Sequence, residues 1–191
     1  MKKSRLVVLF TSVMIFMASF SATSQDRSFS RITLHDGMSL EIPSHWQLLS
    51  QDARKTIRAA GDSVSNKAGY GDLTGKTTLL AARSTPAPTG AVVRVSATPS
   101  NDLTQKSLAS FSKDNLTALT RATASGLKAA EAAGGPKIIK VDPVRIDTID
   151  GQRAMAISYL RRSVEKGSEE PWRVMQYKVP VNGRIYEITL S

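Results

Sequence analysis

The chain has 191 residues, with 26 Lys and Arg against 16 Asp and Glu, a formal charge of +10, and no cysteine. That length suits one domain able to bury a real core. The missing cysteine excludes a disulfide framework, and also a lipoprotein, whose anchor needs a Cys acceptor.

The N-terminus has the three parts that export requires. Lys2, Lys3 and Arg5 make a basic start, Leu6 to Phe20 carry no charge, and Ala18, Ser19, Ser21, Ala22 and Ser24 supply small side chains. Residues 1–24 are therefore predicted to be a cleavable signal peptide, cut after Ser21 or Ser24. The alternative is an uncut anchor, but Leu6–Phe20 falls short of the ~20 apolar residues that span a bilayer. Residues 25–191 then form a single periplasmic domain that is not an integral membrane protein. Losing three basic residues lowers its charge to +7. An exported basic protein meets no nucleic acid. Anionic lipid headgroups, envelope polymers or an acidic protein partner fit the charge better, unless it only maintains solubility.

From Arg31 the pattern alternates every two residues: Ile32 and Leu34, then His35-Asp36-Gly37, then Met38, Leu40 and Ile42 up to Pro43. Asp-Gly between alternating runs predicts a hairpin. Ser50 is the expected N-cap of a helix over Gln51 to Val64, in which Ala53, Ile57, Ala60 and Val64 give one stripe expected to be buried. Asn66 to Lys76 reads as loop. Thr77 to Arg83 and Ala91 to Thr98 read as strands separated by the Pro-rich turn of residues 85–90.

Ser100-Asn101-Asp102 offers N-cap chemistry for one long helix, about Leu103 to Thr123, with Leu108, Phe111, Leu116, Leu119 and Leu127 on a single face. Gly134-Gly135-Pro136 stops it. Four strand segments follow: Lys137 to Ile149, broken at Pro143; Gln152 to Val164; Trp172 to Val181; and Arg184 to Leu190. Asp150-Gly151 and Asn182-Gly183 make the tight turns. Antiparallel strands with helices laid on the sheet define an α+β fold.

Candidate chemistry is thin. Gly75-Lys76-Thr77 resembles the end of a phosphate loop, but the required earlier Gly is Tyr70. His35 and His45 have neither helical nor strand spacing for a shared metal. Ser44-His45 lacks a nucleophile elbow, and Glu169-Glu170 sits among charges in a polar loop. No catalytic, cofactor or metal site is assigned. Arg153, Arg161, Arg162, Arg173, Lys178 and Arg184 concentrate in the C-terminal meander. They either guard strand edges or form a docking surface for an acidic partner. Trp172 with Arg161, Arg162, Arg173 and Arg184 is the candidate partner-binding set, provided that Trp172 is exposed. Burial is the expected role of Trp46, Trp172 and Tyr186.

The runs ITLHDGMSLEIPSHWQLL, GAVVRVSATP, SLASFSKDNLTALT and the meander from Val141 to Ser191 together resemble the PsbP-like superfamily, and within it the exported bacterial DcrB-like branch. Ile42-Pro43-Ser44-His45-Trp46 and the ending Gly183 to Ser191 are the most distinctive pieces. The resemblance spans residues 31–191. It implies a central antiparallel sheet flanked by helices on both faces, an α/β/α sandwich, and a protein that binds or stabilises other envelope proteins without catalysis. It offers no catalytic residues. Such proteins usually continue into a C-terminal helix, whereas this chain stops at Ser191. That leaves an apolar face for a partner, another copy or the signal-region helix, or marks a truncated product. Two other readings are an immunity-type protein that neutralises a periplasm-targeted toxin, and an envelope-acting enzyme using His35, His45 or the carboxylates.

Overall fold

A computed structural model describes residues 28–34, 37–68, 75–85, 90–163 and 170–191. The expected signal peptide, the His35-Asp36 turn, most of the loop before Lys76 and Glu169 lie outside these residues. The elements are β1 (Phe29–Thr33), β2 (Ser39–Pro43), β3 (Gln47–Leu48), α1 (Gln51–Lys67), β4 (Thr77–Arg83), β5 (Val92–Pro99), α2 (Gln105–Ala109), α3 (Lys113–Ala132), β6 (Ile138–Val141), β7 (Arg145–Ile149), β8 (Gln152–Arg162), β9 (Pro171–Val181) and β10 (Arg184–Leu190). This is the expected α+β fold with a large antiparallel sheet.

Eight strands form the main sheet in the order β3-β4-β5-β10-β9-β8-β6, with β7 pairing β8 beside β6. The predicted break at Pro143 has a simple geometry. β6 faces the far half of β8 and β7 its near half, so one interrupted strand lines a single eleven-residue partner. Both two-residue turns are of the hairpin type. Asp150 and Gly151 have φ of 46° and 75°, and Asn182 and Gly183 have 49° and 72°, the double positive φ that matches the strand twist. β1 and β2 pair as predicted, in a separate two-stranded sheet.

Strand alternation gives the sheet two unlike faces. One face presents Leu80, Ala82, Val93, Val95, Ala97, Val179 and Tyr186, nearly all fully buried. Tyr186, with 0% exposure, packs with Ala97, Ala154 and Val179. The β1–β2 hairpin covers part of this face, with Ile42 buried against Ala82 and Val93 and with Ile32, Leu40 and Trp46 alongside.

All three helices contact the other face. Leu108 of α2 packs with Val144, Met155 and Ile157, and Phe111, Leu116 and Leu119 close over them. Thr120 Oγ1 accepts from Val144 N at 2.9 Å, and Glu131 Oε2 accepts from Ile138 N at 3.0 Å, so α3 is tied to the interrupted edge. Among the described residues, helices therefore flank one face, and a β-hairpin covers the second face in part.

The single helix expected from Leu103 to Thr123 is two helices. Thr104 caps α2 and Ser112 caps α3, each in a reciprocal capping box, with Ser107 and Asn115 respectively. Polar side chains that bond to nearby backbone end one helix and start the next, and the break turns Phe111 toward Leu108. α3 runs on to Ala132 and ends with Gly135 N donating to Ala130 O, while Gly134 takes a φ of 98°. α1 is capped by Ser50, whose hydroxyl accepts from Ala53 N, as predicted, and extends to Lys67. Its expected buried stripe is not buried: no α1 residue is, and Ile57 is 39% exposed. The cause lies in the surface beneath it.

Candidate functional site

Register shows what lies under α1. On the helix-facing side, Thr78, Ser96, Glu187, Lys178 and Met155 stand in one cross-strand row. The next row is Ala81, Arg94, Thr189, Gln176 and Ile157. In these two rows β5, β10 and β9 are polar, Ala81 closes one end at β4, and at the other end β8 supplies Met155 and Ile157, where α2 and α3 dock. α1 lies over the polar part and cannot seal onto it as an apolar stripe would.

Two cavities flank α1, and Arg94 and Gln176 line both. One, of about 230 Å³, has Ile57 as roof, Ala81, Val92 and Val174 as apolar wall, and Tyr159, Arg161 and Thr189 as polar wall. The other, of about 250 Å³, lies between Arg58, Asp62 and Ser65 of α1 and Lys76 and Glu187 of the sheet.

The charges partly cancel. Lys76 Nζ lies 3.0 Å from Glu187 Oε1, with side chains 17% and 16% exposed. Arg58 pairs with Asp62 at 3.2 Å. Burial pushes the Glu187 carboxyl up, but Lys76, Lys178 and Arg94 together hold it below its ordinary value. Among the described residues, Arg94 and Arg161 form no salt bridge, and Arg94 attracts Glu187 without contact at ion-pair distance. Arg161 stacks on Trp172, 5.2 Å from the ring centroid. Desolvation pushes its guanidinium down from the ordinary value and pushes the Tyr159 phenol up. Tyr159 therefore stays a protonated donor. Among the described residues, Thr189 Oγ1 is buried without a hydrogen-bond partner.

Of the residues singled out from sequence, the structure stacks Arg161 on Trp172, which is half-buried under the guanidinium rather than exposed, and Arg161 Nη1 also donates to Arg162 O at 3.2 Å. Arg173 is on the opposite face, where its Nη1 donates to Asp142 Oδ2 at 2.9 Å and to Ser158 Oγ at 3.0 Å. Arg162 is exposed at the alternate register position. Arg184 sits at the far end of β10, opposite Val181 and Pro99. Arg94, Gln176, Thr189 and Glu187 were missed. Their signal was period-two polarity within the strands: Arg94 and Ser96 against Val93, Val95 and Ala97, and Glu187 and Thr189 against Tyr186 and Ile188.

The rejected motifs have ordinary places. Gly75-Lys76-Thr77 leads into β4 and not into the helix that a phosphate loop needs. Ser44 Oγ accepts from Ser30 Oγ at 2.9 Å. His45 is exposed in a turn, where its carbonyl accepts from Thr85 Oγ1. Among the described residues, no three His, Asp or Glu side chains gather as metal ligands, and no helix is long and apolar enough to cross a membrane.

No protein-family model and no curated protein matches this chain. Among solved structures, the crystal structure of PA94 from Pseudomonas aeruginosa, a protein of unknown function, is similar. It shares 18% identity over 85% of this chain and 81% of its own, with a TM-score of 0.33. A likeness of that size carries neither fold family nor function.

Proposed function

We propose that this chain is a non-enzymatic exported protein, PsbP-like and of DcrB-like type, that binds or stabilises another envelope protein or envelope component. The observation that supports it is the floor under α1. Among the described residues, Arg94 and Arg161 form no salt bridge and stand beside the donors Tyr159 and Gln176, while the nearby carboxylate Glu187 is paired with Lys76. Such a set grips an anionic group and has no free base with which to transform it. The large antiparallel sheet with helices on one face agrees with part of the architecture that the resemblance implies, although a β-hairpin and not a helix layer covers the described part of the other face. The basic, charge-free and small-residue order of residues 1–24 supports export.

The test is capture from envelope extract of the source bacterium, using the purified protein and an Arg94→Gln/Arg161→Gln variant as baits. A component retained by the first and lost with the second supports the reading. Equal recovery on both baits, or recovery of nothing above background, overturns it. Intact-mass measurement of the protein from periplasm tests the export step: a mass that retains residues 1–24 overturns the compartment.

A further inference from the structure

We infer that the cavity roofed by Ile57 is a binding site for a small amphipathic carboxylate, an aliphatic monoanion with a short apolar body. The inference deepens the binding role proposed above and rests on it.

Three observations converge. The first is charge. Once the Lys76–Glu187 and Arg58–Asp62 pairs are formed, the described lining of the two cavities, which share Arg94 and Gln176, has two cations outside a salt bridge, Arg94 and Arg161. Arg161 stands two residues beyond Tyr159 on β8, and Arg94 reaches the same cavity from β5, across β10 and β9, so the phenol and both guanidinium groups line one space. A planar carboxylate placed there meets guanidinium forks and a phenol donor, the geometry in which Arg outperforms Lys.

The second is the apolar wall. Ala81, Val92 and Val174 line the same cavity under Ile57. Ala81 is 2% and Val174 2% exposed, so their contribution is rigid sheet surface. A strongly hydrated dianion gains nothing from such a wall, whereas an alkyl chain does, at roughly 25 cal/mol per Å² removed from water.

The third is the unfilled hydrogen-bonding capacity of the floor. Thr189 is 9% exposed, lines the cavity, and its hydroxyl has no partner among the described residues. Buried polar groups ordinarily have one. A polar guest over β10 would give this hydroxyl the partner that it lacks among the described residues. α1 completes the site as a roof that buries no side chain of its own, so a guest can enter beside Ile57 without breaking a packed core.

The experiment titrates the purified protein, carrying Trp46→Phe, with hexanoate, octanoate, octylamine and inorganic phosphate. Trp172 emission and calorimetry are the readouts. The inference expects one saturable site for octanoate, tighter than for hexanoate, weakened about tenfold or more by Arg94→Gln and by Arg161→Gln, and blocked by Ile57→Trp, which fills the cavity from an exposed position. Octylamine and phosphate are expected not to compete.

Absence of saturable octanoate binding, phosphate or octylamine binding as well as octanoate, or full binding by Ile57→Trp each overturns the inference. Should an Arg variant melt early, Ile57→Trp still decides. If carboxylates fail while envelope capture still depends on Arg94 and Arg161, this inference alone falls. If capture fails as well, the binding reading falls with it.

Discussion

The side chain of Gln105 is bonded to both backbone groups of Arg153: its Oε1 accepts from Arg153 N at 2.8 Å, and its Nε2 donates to Arg153 O at 3.0 Å. Nε2 also donates to Pro180 O at 3.0 Å. The reason is visible in the register. β8 and β9 pair from Met155 opposite Lys178 to Arg162 opposite Pro171, and the next bonded position would set Arg153 opposite Pro180, which has no N–H to give. The amide of Gln105 takes the place of the missing ladder bonds and fastens α2 to the sheet at the same point.

Gln105→Ala should therefore destabilise the fold by about 1–3 kcal/mol, because it leaves backbone groups of Arg153 and Pro180 unpaired. Urea denaturation measures this directly. An unchanged midpoint would show that water replaces the amide without loss.

The Lys76–Glu187 pair is sensitive in an asymmetric way. Lys76→Met alone strands a mostly buried carboxylate and should cost about 2 kcal/mol, less than the usual cost of breaking a buried pair because Lys178 and Arg94 still attract it. The double variant Lys76→Met/Glu187→Leu should recover most of that loss. Thermal melts of the two variants, compared with the parent, decide.

Asp142 gives the protein an acid-side pH dependence. Hydrogen bonds from Lys140, Ser158 and Arg173 lower its carboxyl to about 2 from an ordinary value of 3.8. A folded value below the unfolded one means that the unfolded chain binds more protons between them. Stability present above about pH 4 is thus lost as pH falls toward 2. Asp142→Asn should flatten this part of a melting-temperature profile. A parallel decline in the variant would assign the acid sensitivity elsewhere.

The two helical regions should respond unequally to truncation. Leu108→Ala removes a side chain with 2% exposure from the cluster around Met155 and Ile157 and should cost about 2–4 kcal/mol. Ile57→Ser, at 39% exposure over a polar floor, should cost under about 1 kcal/mol. Amide exchange checks the same difference, with α1 opening well before α3.

At the β7–β8 turn, Gly151→Ala should cost about 1–2 kcal/mol, since Gly151 has a φ of 75° with open space around it, so backbone strain alone is added. Replacing Gly61, inside α1 and equally open, by Ala should instead raise stability slightly. Opposite signs in the two melts are the result to look for.

Much of the architecture was legible because it is local. The Asp150-Gly151 and Asn182-Gly183 turns, the Ser50 cap, the bounds of β4 and β10 and the break at Pro143 depend on a few adjacent residues with special backbone or hydrogen-bonding needs. The long helix was misread because its apolar spacing persists across residues 110–112, while Ser112 and Asn115 prefer to cap a new start. The candidate site was half legible. Arg161 and Trp172 face each other across two strands whose pairing is set by β8 and β9 alone, whereas Arg173 alternates to the opposite face and Arg184 lies at the other end of its strand.

Apart from β3 and the split between α2 and α3, the amino-acid sequence by itself determined the order and kind of elements, the antiparallel meander and the absence of cysteine chemistry, because propensity, turn stereochemistry and composition act over neighbouring residues. Only the tertiary structure decided that Arg94 from β5, Thr189 from β10, Gln176 from β9 and Tyr159 from β8 share one floor, and that α1 lies across it without burying a side chain. β8, β9 and β10 are consecutive in the meander, and the pairing of β5 with β10, from far earlier in the chain, brings Arg94 to the other three. Which partners a strand chooses is settled by the burial of the whole sheet, not by any window of its sequence.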